Sequence, residues 1–195
     1  MLRKAICAIG FLFALAAGVF AYEIRVSRLN SWELTFTCNP PRAIEVVEKS
    51  ALVNYRYVVY EVKNDTSQDV DFFPTFAIET EQGKLYTASI YPAIAKRVQQ
   101  HFGRDVLDAT KIAGVLKAGE TRRGVAVFRD VDGTSDVLTV YVSGLSGDLK
   151  VNKSADGKVS VLYRTYKVMY ARAGDEFDLA LDPVTLKSTE WVWRP

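Results

Sequence analysis

The stretch Tyr55–Val62 reads Tyr-Arg-Tyr-Val-Val-Tyr-Glu-Val, dense in aromatic and β-branched residues with no glycine or proline to interrupt it. Such residues suit a pleated, half-buried surface and disfavour a helix, so this segment predicts an extended strand. Side chains alternate across a strand, so Val58, Tyr60 and Val62 share one face and Tyr55, Tyr57 and Glu61 the other. Placing the first set inward keeps the Glu61 carboxylate out of the core, and Phe72, Phe128 and Val140 are expected nearby.

The same period of two recurs along the chain. Trp32, Leu34, Phe36 and Cys38 alternate with Glu33, Thr35 and Thr37, and Asn39-Pro40-Pro41 stops them. Ala43–Glu48 is a short strand candidate. Val70, Phe72, Phe76 and Ile78 fall at even spacing, with Pro74 between them marking an edge or a bulge. Arg123–Phe128, Leu138–Val142, Val159–Ala171 and the tail Trp191-Val192-Trp193 complete the set, and Asp156-Gly157 could close a hairpin. One segment differs. Ile94, Val98 and Phe102 recur every fourth position between Pro92 and Gly103, which predicts a short amphipathic helix over residues 92–102. A second helical turn is weakly indicated near Asp105–Lys111. Short strands separated by turn signals, with one helix inserted, predict a mostly-β protein, an antiparallel β-sandwich.

The N-terminus reads differently from the rest. Arg3 and Lys4 precede an uncharged run, Ala5–Ala21, and Val19-Phe20-Ala21 offers small or modest residues before Tyr22. This is the pattern of a cleaved secretory signal over residues 1–21. It leaves residues 22–195 as a single sandwich domain, with a C-terminal β extension over about 150–195. The expected location is outside the cytoplasm, periplasmic or extracellular, with no stable membrane insertion after cleavage. Loss of Arg3 and Lys4 would leave 23 basic and 23 acidic residues. That balance lacks the basic excess a nucleic-acid binder needs. Cys38 would be the one remaining thiol, expected to be buried as a small hydrophobe.

Two stretches together resemble exported bacterial immunoglobulin-like domains of unknown function. They are Tyr57–Asn64 followed by Val70-Asp71-Phe72, and Leu116-Lys117-Ala118-Gly119-Glu120 leading into Thr121–Phe128. The resemblance covers roughly Trp32–Leu145 and implies an immunoglobulin-like sandwich and an envelope location, with no reaction attached.

Reactive groups are sparse. His101 is the only histidine and sits on the polar side of the predicted helix, so metal or triad chemistry has no second histidine to draw on. Asp130, Asp132 and Asp136 around Gly133 are weak calcium candidates that miss the EF-hand spacing. Asp175, Glu176, Asp178 and Asp182 form an acidic stretch best read as a solvated loop. No cofactor is implied. Tyr55 and Tyr57, on the presumed outer face, and Trp191 and Trp193, which share a face, are candidates for a ligand or partner surface; they serve equally as packing residues. The expected function is a non-catalytic envelope protein that binds a protein partner or another envelope component. A carbohydrate or cell-wall module using those aromatics is the alternative, and a hydrolase with an unfamiliar site a second one.

Overall fold

The computed structural model describes residues 22–24, 31–153, 157–172 and 184–195. The signal-like segment and the acidic stretch Asp175–Asp182 lie outside them. In chain order the elements are β1 (Tyr22–Ile24), β2 (Thr35–Cys38), β3 (Arg42–Glu48), β4 (Ala51–Lys63), β5 (Val70–Phe72), β6 (Thr75–Thr80) and β7 (Leu85–Thr87). There follow α1 (Pro92–Phe102), β8 (Val106–Leu107), α2 (Ala109–Ile112), β9 (Gly114–Leu116) and β10 (Thr121–Arg129). The last are β11 (Val137–Ser143), β12 (Leu149–Lys153), β13 (Val159–Ala171) and β14 (Thr185–Arg194).

The chain is mostly β, and two sheets, antiparallel except for the short parallel pair of β8 with β10, face each other as a sandwich. Each is organised by one long strand. β4 pairs along its length with β10 on one edge, while β2 and β3 take successive stretches of its other edge. The Asn39-Pro40-Pro41 break is what divides those two short strands. β13 plays the same part in the larger sheet: β14 lies on one edge, and β12 and β11 succeed each other on the other. β6 and β7 extend that sheet beyond β11, and β1 joins β12. The C-terminal β residues are therefore woven into the larger sheet, β13 pairing with β11 from Tyr166 to Ala171. Pro74 falls between β5, which pairs with β9 in a separate ribbon, and β6, which enters the large sheet. It marks a change of sheet.

The core between the sheets contains Val58, Tyr60, Val62, Phe72, Phe128 and Val140, all 3% exposed or less. Period two placed these residues correctly. The other face of β4 is not open. Tyr55, Val59 and Val53 form a second core with Val125, Val127 and the Ile94, Ala95 and Val98 stripe of α1. The helix covers the outer face of the smaller sheet and makes a third layer. Tyr55 is 1% exposed, with its ring edge-on to Tyr91 at 5.1 Å. Tyr57 packs edge-on against Phe102 at 6.2 Å. Of the two readings of these tyrosines, packing holds for Tyr55, which is no part of an exposed surface, while Tyr57 is half-buried: an amphipathic helix must bury its stripe, and the aromatic face of β4 is what it meets.

Val58→Ala and Val59→Ala are therefore expected to lose comparable stability, about 1–3 kcal/mol each, because both delete buried methyls. Urea unfolding of the two variants checks this. A clearly smaller loss for Val59→Ala would mean that α1 leaves its face of β4 accessible.

The segments Tyr57–Asn64 and Leu116–Phe128 meet at the end of this sheet. Asn64 is fully buried; its side-chain NH2 donates to the carbonyls of Gln68 and Leu116, and its Oδ1 accepts from the Thr66 amide and hydroxyl. Its backbone pairs with Gly119 and Glu120 across the turn. Glu120 then accepts from the Lys117 amide and from Arg122. The Asn at the strand end and the Leu-x-x-Gly-Glu turn form one hydrogen-bonded corner. The weak second helical signal resolves to α2, capped by Asp108, whose carboxylate accepts the Thr110 and Lys111 amides.

Candidate functional site

Neither long side of the sandwich closes completely. On one side β14 borders the large sheet and β2 the small one, and between them lies a recess of about 320 Å³ lined by Glu33, Leu34, Thr35, Phe36, Tyr166 and Trp191. β14 pairs with β13 from Tyr163 to Ala171, and among the described residues no strand pairs with its other edge. Its first six residues are exposed and its last four half-buried.

The register explains where the tryptophans go. Trp191 lies opposite Tyr166 and Trp193 opposite Arg164, so both indoles point toward the smaller sheet. Trp191 meets Tyr166 edge-on at 5.0 Å, and Tyr166 meets Phe36 at 5.8 Å. Phe36 in turn lies 5.7 Å from Tyr60, and Tyr60 4.6 Å from Phe76. A chain of five rings thus crosses the sandwich from the β14 side to the opposite side. Trp191 and Trp193 are at its open end, half-buried.

Cations cover these indoles. The Arg164 guanidinium sits 4.4 Å from the Trp191 ring centre and the Lys150 amine 4.5 Å from that of Trp193. Arg164 also bonds Glu33 at 2.6 Å and Asp148 at 3.2 Å. Glu33, the one carboxylate lining the recess, is held in that ion pair. With cations over the rings, the pair of tryptophans is a poor stacking platform for a sugar.

The Asp130–Asp136 loop does a different job from the one its carboxylates suggest. Asp130 adopts φ 53° as the chain leaves β10, and its carboxylate accepts from Arg129 Nε at 3.2 Å. Asp132 Oδ1 accepts the Thr134 amide and hydroxyl, which holds its carboxyl below the usual range. Asp136 Oδ1 is buried without a hydrogen-bond partner. The three do not converge, and among the described residues no group of three or more potential metal ligands does. What lies behind the loop is cationic. Arg56 is 4% exposed and Arg172 9%; burial, with the neighbouring Arg172 charge, holds the Arg56 guanidinium below its ordinary value. Arg172 donates to the Gly133 carbonyl at 3.2 Å. The loop's negative charge faces two buried guanidiniums. Sequence reasoning missed both, because each arginine interrupts or ends an otherwise apolar run and reads as a solvated residue.

Cys38 is half-buried, its sulfur 3.1 Å from the Tyr170 hydroxyl; desolvation pushes the thiol up, so it is a poor nucleophile. His101 is exposed at the end of α1 against the Phe102 ring. No helix among the described residues is long and apolar enough to cross a membrane.

No family model matches this chain, and no curated protein or solved structure shows significant similarity to it.

Proposed function

We propose that this is an exported, non-catalytic protein of the cell envelope that binds an extended segment of a partner protein along β14. The observation that carries the reading is the edge of β14 that no strand among the described residues pairs with, ten residues long and bordering an aromatic recess. A free edge offers a row of backbone donors and acceptors to an incoming strand, and a neighbouring pocket adds side-chain selectivity. A segment pairing with β14 would present alternate side chains to the recess at Trp191, Tyr166 and Phe36. The charges on β14 are arranged to keep that edge soluble: Lys187 stands exposed, and Glu190 is paired with Lys167 at 2.7 Å. The signal-like N-terminus supports export.

Photo-crosslinking in living cells tests this. A crosslinkable residue replacing Leu186 or Thr189 is expected to capture a discrete species heavier than the chain. The same probe at Lys96, on the exposed face of α1, is expected to capture little, and Trp191→Ala should lower the yield at Thr189. Equal capture at Lys96, or none at either β14 position, would contradict the proposal. A product at only twice the chain mass would show self-assembly instead of a separate partner.

A further inference from the structure

The other long side of the sandwich holds an apolar cleft of about 250 Å³, formed where β6 and β7 part from β10 and α2. Tyr60, Phe76, Ala88 and Ile112 line it. Phe73 and Ile90 stand at its mouth, 64% and 57% exposed. The chain after β7 crosses from one sheet to the other here: Ala88 donates to the Phe76 carbonyl and Ser89 to that of Val127, which holds the cleft's shape.

Three features describe an occupant. The first is size: an apolar cavity of about 150 Å³ takes up benzene, so this cleft suits a molecule of about ten non-hydrogen atoms. The second is charge. Among the described residues no Asp, Glu, Lys, Arg or His lines the cleft, so a charged ligand would be desolvated without compensation. The third is a polar handle in the depth of the cleft, since the other hydroxyls of the lining, on Thr75, Thr87 and Ser89, belong to exposed residues. Tyr60 is 3% exposed, and among the described residues its hydroxyl has no hydrogen-bond partner. Gly124, opposite Tyr60 in the register, is what lets the ring end lie there: a Cβ at that position would stand 2.7 Å from the hydroxyl oxygen and 3.1 Å from Ile112 Cδ1. With no hydrogen bond to the described residues, the hydroxyl of this cleft-lining tyrosine is left to bond whatever occupies the cleft.

We propose that the cleft binds a neutral, mostly apolar small molecule carrying one hydroxyl or carbonyl oxygen, which hydrogen-bonds Tyr60. This site lies across the sandwich from β14 and does not depend on a protein partner.

Methyl NMR titration of the isolated protein with 1-heptanol tests the proposal, with heptanoate and heptylammonium as charged analogues. Saturable shifts are expected at the Ile112 and Ala88 methyls. Tyr60→Phe keeps the ring and removes only the hydroxyl, and should weaken 1-heptanol binding about fivefold. Ala88→Leu fills the cleft and should abolish binding while the remaining spectrum stays folded. The charged analogues should bind at least about tenfold more weakly. Shifts that do not saturate, shifts confined to the Ile90 methyls at the rim, equal binding of heptanoate, or an unchanged affinity in Tyr60→Phe would each overturn it.

Discussion

Phe128→Ala is expected to cost about 3–5 kcal/mol, enough to unfold a large fraction of a marginally stable domain. Phe128 is fully buried at the end of β10, where the strand pairs with Arg56 of β4, and it faces the core between the sheets. Truncation removes the whole ring from a site walled by both sheets. Their paired backbones restrict the collapse that would refill the space. Tyr55→Ala, on the opposite face of the same sheet, should fall in the same range. It loses the edge-on contact with Tyr91, the hydrogen bond its hydroxyl donates to Glu48 at 2.7 Å, and the Arg129 guanidinium 5.7 Å from its ring centre. Urea unfolding measures both. A loss below about 1 kcal/mol for Tyr55→Ala would show that the helix-side core contributes little, in conflict with the three-layer arrangement.

Alkali should destabilise the protein from about pH 10 upward. Burial pushes the Tyr60 hydroxyl well above its ordinary value, and Tyr170 shifts the same way through burial and the neighbouring Cys38. Tyr55 is pushed up to about 12 by burial and by Glu48. The sign follows from proton counts. Below about pH 10 these tyrosines are protonated in both states and add no pH dependence. Above it the unfolded chain releases protons that the folded chain retains, so stability falls as pH rises. A tyrosine held neutral as firmly as Tyr60 contributes a slope of about 1.4 kcal/mol per pH unit. Stability measured from pH 8 to 12 should thus fall slightly once the Cys38 thiol of the unfolded chain ionises near pH 9 and more steeply above about pH 10, and Tyr60→Phe should make the steep fall shallower. A wild-type profile that rises above pH 10, or a Tyr60→Phe profile identical to wild type, would contradict the burial of that hydroxyl.

Much of the fold was legible because local pattern and tertiary role agree in it. β13 covers Val159–Ala171 and α1 covers Pro92–Phe102, the spans their composition and flanking residues indicate. The face of β4 bearing Val58, Tyr60 and Val62 was legible for the same reason. What could not be read was coverage. Period two separates the faces of a strand but does not say how many are buried, and Tyr55 and Tyr57 look alike on a wet face and under a helix. β14 was legible only at Trp191-Val192-Trp193, because its first half, Thr185–Glu190, is an exposed edge and carries no burial pattern. The two lateral openings were not legible either. Each is bounded by residues far apart in the chain, such as Glu33 with Trp191 and Tyr60 with Ala109, so no local pattern encodes them.

That β14 is a free edge is the claim on which the functional reading stands, and amide hydrogen exchange along that strand tests it most directly. In the isolated protein, alternate β14 amides, those bonded to β13, should exchange slowly, while those pointing away from β13 exchange fast. Addition of the crosslinked partner, or of a peptide spanning its captured segment, should slow the second set. Uniform protection of both sets in the isolated monomer would show the edge already covered and contradict the account.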